Sequence, residues 1–208
     1  MPDWGTLALF LAATLTLNVT PGPDMLYVIA RSAAQGRRAG IVSALGIAGG
    51  TIVHTALVAL GLSGLLLAVP IAFEIVKLAG AAYLMWLGAR LLLRTGGTAT
   101  VPRVSDAPVG AIFRQGVITN VLNPKVALFF LAFLPQFVDP RRGPVAVQIA
   151  ALGLLFNVSG TLVNIAVALL VSRAGQWTRR RAGTTVLERA SGALFIGLGL
   201  RLALFERR

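Results

Sequence analysis

The chain contains no cysteine, which removes disulfides, thiol catalysis and thiolate metal sites. Its single histidine, His54, is too few for a histidine-built metal cluster. Only seven residues are acidic against nineteen basic ones, and just two of the basic ones, Lys77 and Lys125, are lysines. Charge of either sign is scarce at 12% of residues, where a soluble domain carries about a quarter. Hydrophobic residues make up 56% and mean hydropathy is +0.81. That composition belongs in a bilayer. The net charge of +12 is not a nucleic-acid footprint, because the arginines fall between apolar segments rather than along one face. It suits anionic headgroups and the setting of topology. Met1-Pro2-Asp3-Trp4 lacks the basic n-region of a signal peptide, so the first apolar stretch is expected to be retained.

Six apolar segments follow. The first runs from about Trp4 to Ala30 and closes on Arg31, Arg37 and Arg38. The second, about Gly40 to Val69, exceeds the ~20 residues a span requires, and its Gly46-Ile47-Ala48-Gly49-Gly50 has the small-residue spacing of close helix contacts. The third runs from about Ile71 to Leu93, and Thr95 to Pro108 is the linker. The fourth covers about Ala111 to Val138, and Asp139-Pro140-Arg141-Arg142-Gly143 turns the chain. The fifth spans about Val145 to Val171, and the sixth, about Ala190 to Phe205, is the shortest. Arg201 must snorkel from it.

Two of these segments are broken. Asn18-Val19-Thr20-Pro21-Gly22-Pro23-Asp24 interrupts the first, and Asn120-Val121-Leu122-Asn123-Pro124-Lys125 the fourth. Proline lacks the N–H for the helical ladder and its ring clashes one turn back. Backbone freed at bilayer depth must be buried in protein or face a water-filled cavity. The breaks predict a small transporter with its substrate site between them.

The halves resemble each other. Asn18-Val19 maps on Asn120-Val121 at an offset of 102. Gly50-Thr51-Ile52-Val53-His54 maps on Gly160-Thr161-Leu162-Val163-Asn164 at 110, and Leu87-Gly88-Ala89-Arg90-Leu91 on Leu198-Gly199-Leu200-Arg201-Leu202 at 111. Three matches in chain order predict a duplication. With three spans per copy, the second must enter the membrane the opposite way round, giving an inverted repeat. The expected architecture is therefore all-α: one transmembrane domain over 1–208, six helices, repeat one about 1–94, linker about 95–110 and repeat two about 111–208, with helices 1 and 4 interrupted. Twelve basic residues fall between segments 1–2, 3–4 and 5–6, and six fall on the other side. The positive-inside rule puts the first set in the cytoplasm and both termini outside.

Asp24 is the acid expected to lie deep, since Asp3, Asp106, Asp139 and Glu206 sit in loops or ends and Glu74 and Glu188 near segment boundaries. It suits the first turn of a restarting half-helix, where the dipole favours negative charge. It also suits a proton or substrate-ammonium site, because intramembrane acids mark function. Lys125 follows Pro124 as Asp24 follows Pro23. A cation there opposes the helix dipole, so it either pairs with an anion (Asp24 or a substrate carboxylate) or snorkels to an interface. Asn18, Thr20, Asn120 and Asn123 flank the breaks and either satisfy freed backbone or bind a polar ligand. His54 is either a proton relay or a packing residue. Asn157, Thr161 and Asn164 form a polar stripe that lines a cavity or bonds neighbouring helices. Tyr83, Trp86 and Trp177 read as packing residues or interface anchors. Gly61-Leu62-Ser63-Gly64 matches a serine-protease motif, but His54 is the chain's one histidine and lies roughly 13 Å away on the same helix. No catalytic residue, metal site or cofactor is expected.

The two break motifs, with Ala82-Tyr83-Leu84-Met85-Trp86-Leu87-Gly88 and Gly197-Leu198-Gly199-Leu200-Arg201-Leu202, resemble the lysine-exporter (LysE/RhtB) family of amino-acid translocators over essentially the whole chain. The resemblance implies proton-driven export of an amino acid or derivative across the bacterial inner membrane. Thr20-Pro21-Gly22-Pro23-Asp24 is more similar to the homoserine/threonine branch than to the basic-amino-acid branch. Expected partners are the substrate, protons and lipid, without nucleic acid, and a homo-oligomer is compatible with the sequence. Two alternatives remain. A metal-cation exporter would want more intramembrane ligands than Asp24, and a non-transporting scaffold has no use for two charged breaks. Asn18, Thr20, Pro21, Gly22, Pro23, Asp24, His54, Asn120, Asn123, Pro124, Lys125, Asn157 and Asn164 are the candidate site residues.

Overall fold

The computed structural model describes residues 4–68 and 104–174, with single helical positions within 78–93 and 193–203. Segments 3 and 6, most of the linker and the 175–189 loop otherwise lie outside the described residues, as do Tyr83 and Trp177. Among the described residues every regular element is helical and none is a strand. These elements are α1 (Trp4–Val19), α2 (Pro23–Ala68), α3 (Val109–Val121), α4 (Pro124–Leu128) and α5 (Val145–Ala174). Among the described residues two helices, over Pro23–Gly61 and Val145–Arg173, are long and apolar enough to cross a membrane. The pair Val109–Val121 and Pro124–Phe137, bent by 49°, makes a third if it is one span.

Both expected breaks are present. Residues 20–22 separate α1 from α2, and Leu122 and Asn123 separate α3 from α4. The expected boundary between segments 1 and 2 is present as well, but as a kink rather than a loop. α2 runs from Pro23 to Ala68 and changes direction at one residue, Gly36, whose φ of 79° and ψ of −171° leave the helical region. Glycine adopts that positive φ without a Cβ penalty, so the chain turns without a separate loop. The expectation for Arg31 fails with it. Rather than standing in a loop, Arg31 is 3% exposed. Its guanidinium donates to Gln35 Oε1 and to the Ser105 carbonyl, both at 2.7 Å, and to Gln115 Oε1. Gln35 Nε2 donates to the Ala107 carbonyl at 3.0 Å. The linker end is thereby tied onto α2 and α3.

α2 packs along both α5 and α3. The closest approach uses the glycines marked out by their spacing. A methyl added at Gly46 would lie 3.1 Å from the Gly116 Cα and run into the Phe113 carbonyl. Backbone meets backbone there, as small residues permit between membrane helices.

Beyond the second break α4 continues as a π turn, Phe129–Phe133, and a 3-10 turn, Leu134–Phe137. Pro135 brings no N–H to this ladder, and the change of register coincides with it. The widened turn sends Phe129, Phe130 and Phe133 into the main core with Phe10, Phe137 and Phe156. Phe10 meets Phe137 edge-on at 5.1 Å and Phe130 meets Phe156 likewise at 5.1 Å, an arrangement aromatic quadrupoles favour.

The outward surface is unlike that of a soluble bundle, and polar side chains are buried beside the apolar core. Buried positions include Thr14, Thr20, Ser43, Thr51, Asn120 and Lys125, whereas Leu60 is 80% exposed and Leu170 is 66% exposed. An outward apolar surface around polar contacts is the pattern a lipid environment selects.

Candidate functional site

The ends of α1 and α3 and the starts of α2 and α4 converge on one cavity. It is lined by Asn18, Thr20, Asp24, Asn120 and Lys125 from the broken helices, by Thr51 and Ile47 from α2, and by Asn157, Gly160, Thr161 and Asn164 from α5. Leu17, Met25, Val126 and Phe156 supply apolar wall. Its volume is about 20 Å³, room for roughly one water molecule. An amino acid does not fit until the helices part.

Asp24 stands in the first turn of α2, where the helix dipole favours a carboxylate. Asn120 Nδ2 donates to its Oδ2 at 2.8 Å. The other oxygen, Oδ1, is buried and has no hydrogen-bond partner among the described residues. Asn123 Nδ2 is a buried donor in the same condition. A half-satisfied carboxylate is costly in low dielectric, and the Asn123 amide beside it is the one further donor the site offers Asp24 short of full hydrogen-bond geometry.

Lys125 is 8% exposed. Its Nζ donates to the Leu17 carbonyl at 3.0 Å and to the Thr20 carbonyl at 2.9 Å. These are carbonyls left over where α1 ends, the negative pole of that half-helix. Lys125 and Asp24 face the same cavity, but their charged atoms do not close to the 4.0 Å of an ion pair. The dipole conflict at the start of α4 is resolved by reaching across to the other break. Gly22 makes the room, since a Cβ there would lie 3.1 Å from Lys125 Nζ.

The second break caps itself. Asn123 Oδ1 accepts from the Lys125 backbone N–H at 3.0 Å, with Pro124 in the first helical turn, the arrangement N-caps use. His54, from α2, donates from Nε2 to the Asn120 carbonyl at 3.1 Å. Its ring lies 5.7 Å from that of Phe130, and it is not part of the cavity wall. Pro21, Gly22, Pro23 and Pro124 shape the breaks without lining the cavity.

The stripe on α5 does both things expected of it. Asn157, Thr161 and Asn164 line the cavity, and Asn157 Nδ2 also donates to the Ala48 carbonyl of α2 at 3.3 Å. Asn18 Nδ2 donates to Ser159 Oγ at 3.1 Å. Thr51 was not among the expected residues, yet it lines the cavity and its Oγ1 donates to Asn120 Oδ1 at 3.4 Å. The match of Gly50-Thr51 with Gly160-Thr161 was the signal for it. The matched glycines contact matched asparagines. A Cβ on Gly50 would lie 2.7 Å from the Asn120 Cβ, and one on Gly160 would lie 3.0 Å from Asn18 Oδ1.

Comparison with known proteins decides the family. The LysE type translocator family model matches residues 15–205. The chain belongs to the LysE type translocator family. This translocator is 33% identical over 194 residues to the homoserine/homoserine lactone efflux protein of Salmonella typhimurium, covering 93% of this chain and 94% of that one. It is 38% identical over 200 residues to an uncharacterized membrane protein of Pseudomonas aeruginosa, 88% of each. To the leucine efflux protein of Salmonella choleraesuis it is 30% identical over 205 residues, 95% of this chain and 94% of that one. No solved structure matches it. It is a multi-pass membrane transporter and not an enzyme.

Proposed function

We propose that this translocator exports a neutral amino acid or derivative, of the homoserine/threonine type, across the bacterial inner membrane in exchange for protons. The observation that carries the reading is the half-satisfied Asp24 carboxylate in a polar cavity between two helix breaks, in a chain of this family. The efflux named for the two characterised relatives supports it. Asp24 Oδ1 takes the substrate ammonium when the cavity opens to the cytoplasm and a proton when it opens outside. Because one carboxylate cannot hold both, the two fluxes are coupled. Lys125 offsets the Asp24 charge through its field, and the amides and hydroxyls of α5 receive the rest of the substrate. A metal-cation exporter is less well served, because the cavity offers one carboxylate and no histidine.

The fold reading that goes with this is an inverted repeat of two three-helix units. The reciprocal contacts of Gly50 with Asn120 and of Gly160 with Asn18 support it, since matched residues from each half serve the other. The narrow cavity is then one state of an alternating-access cycle.

The direct test is uptake of labelled amino acids by inverted membrane vesicles under an imposed proton gradient. Accumulation of a homoserine- or threonine-like substrate, collapsed by a protonophore, is the expected result. Gradient-dependent uptake of divalent cations with no amino-acid uptake would overturn it. Orientation is tested by single cysteines at positions 37, 103 and 180 in the cysteine-free chain. All three should be protected from an impermeant thiol reagent in intact cells, and labelling at all three would invert the topology.

A further inference from the structure

The lysine between the breaks suggests a role that deepens the export reading of the same cavity. Where α1 ends, the carbonyls of Leu17 and Thr20 converge on a single cation, Lys125 Nζ, at 3.0 and 2.9 Å. Unwound carbonyls and the negative ends of half-helices are where carriers with interrupted helices hold sodium or protons. Such oxygens are hard ligands suited to alkali cations, and a carboxylate strengthens the set. Here the Asp24 carboxylate faces the same cavity with an unpartnered oxygen. The position of a free ion is already taken by a tethered one. Its fit is specific, because Gly22 is the residue that leaves room for the amine and a methyl there would press on both Nζ and, at 3.3 Å, Cε.

We infer that the Lys125 ammonium is the resident monovalent cation of this site, standing where other carriers bind sodium, and that removing it creates a binding site for a small monovalent cation. Three consequences follow. The wild-type protein needs no sodium to hold the break of helix α1 in place. A sodium ion at this position then has no part in driving transport. Finally, because the amine is spent on carbonyls, it is not a ligand for the substrate carboxylate in this conformation.

The test uses purified full-length protein in detergent and reads thermal unfolding, with no substrate present. At constant ionic strength, sodium chloride is exchanged for choline chloride, whose quaternary ammonium has no N–H to donate. The wild-type midpoint should not move. Lys125→Ala should unfold at a lower temperature and recover saturably with sodium, or with propylammonium, which restores the three carbons and the amine that alanine lacks. Choline should restore nothing. If Lys125→Ala cannot be purified, Lys125→Met decides, because it keeps the buried stem without the cation that the Leu17 and Thr20 carbonyls hold and should make the midpoint sodium-dependent. A wild-type midpoint that requires sodium, or variants indifferent to both sodium and propylammonium, would overturn the inference. Substrate binding plays no part in the measurement, so it can fail while amino-acid export in vesicles stands, and the reverse.

Discussion

The two helix breaks are built from similar residues but are not equally self-sufficient. The second closes its backbone on itself, leaving only the Asn123 amide N–H group over: Asn123 caps the restart of its own helix, and the freed Asn120 carbonyl accepts from the Asn123 N–H at 2.9 Å as well as from His54. The first is served from outside. Two of its freed carbonyls are held by Lys125 and its carboxylate by Asn120, both supplied by the region of the second break. Thr20 contributes a local bond, its Oγ1 donating to the Thr16 carbonyl at 2.6 Å, but this does not reach the open Asp24 oxygen. The second break is thus the fixed reference and the first is the part whose geometry depends on what occupies the site. A transporter needs that asymmetry, because only a structure with alternative partners for its polar groups can change state without leaving them unpaired.

The largest expected effect tests whether the open carboxylate does the work. Asp24→Asn keeps the size of the side chain and its capping position while removing the charge. Export under a proton gradient should fall at least about 100-fold, equivalent to roughly 3 kcal/mol or more by the usual conversion, with near-normal protein level in the membrane. Normal export by Asp24→Asn, together with loss of folded protein in Asp24→Ala, would reduce Asp24 to a helix cap and move the mechanism elsewhere, with His54 next.

The next effects concern stability and rank the breaks directly. Lys125→Met removes the donor to two buried carbonyls; at about 1–3 kcal/mol for each orphaned group, less the relief of no longer burying an ammonium, the net loss should be about 2–4 kcal/mol. Asn123→Ala removes one N-cap and should cost about 1 kcal/mol. His54→Phe should cost less still on the hydrogen-bond side, below about 1 kcal/mol, because the Asn120 carbonyl keeps its bond from Asn123. Denaturant unfolding of the three purified variants gives the order. If Asn123→Ala proved worse than Lys125→Met, the second break would be the dependent one.

Much of this arrangement was legible in the sequence. Proline announced both breaks, joined by Gly22 at the first, because its backbone chemistry acts locally, whatever packs around it. The glycine spacing announced a close helix contact on α2 for the same reason, though not that α3 would be the partner. What stayed hidden depended on long-range geometry. Nothing near Lys125 in sequence indicates that its amine ends on carbonyls more than 100 residues away. Arg31 read as a loop marker because charge between apolar segments usually is, and only the single-residue turn at Gly36 carries it into the bundle. The phenylalanine core escaped notice because the π turn at Phe129–Phe133 abandons the 3.6-residue period on which helical faces are read. The lysine clamp had a trace in the one lysine placed at a break, but residue type alone left pairing and snorkelling open.

The smallest expected effect sharpens the comparison between the breaks from the α2 and α5 side. Gly50 and Gly160 occupy matched positions and each packs on the asparagine of a break. Gly50 is the tighter. A Cβ there would sit 2.7 Å from both the Cβ and the Oδ1 of Asn120 and 2.8 Å from the Val117 carbonyl. A carbonyl and a Cβ are fixed to the backbone, so α3 itself would have to move. At Gly160 the nearest atoms are the Asn18 amide group at 3.0–3.3 Å, the far end of a side chain that can rotate by a few tenths of an ångström. Overpacking typically costs 1–3 kcal/mol where the surroundings cannot relax. Gly50→Ala should therefore lose about 1–3 kcal/mol, whereas Gly160→Ala should lose about 1 kcal/mol or less and mainly weaken the Asn18–Ser159 hydrogen bond. Unfolding of both variants in the same detergent reads the difference. Equal losses would mean that the first break is held as rigidly as the second, and the asymmetry assigned to the site would have to come from Lys125 alone.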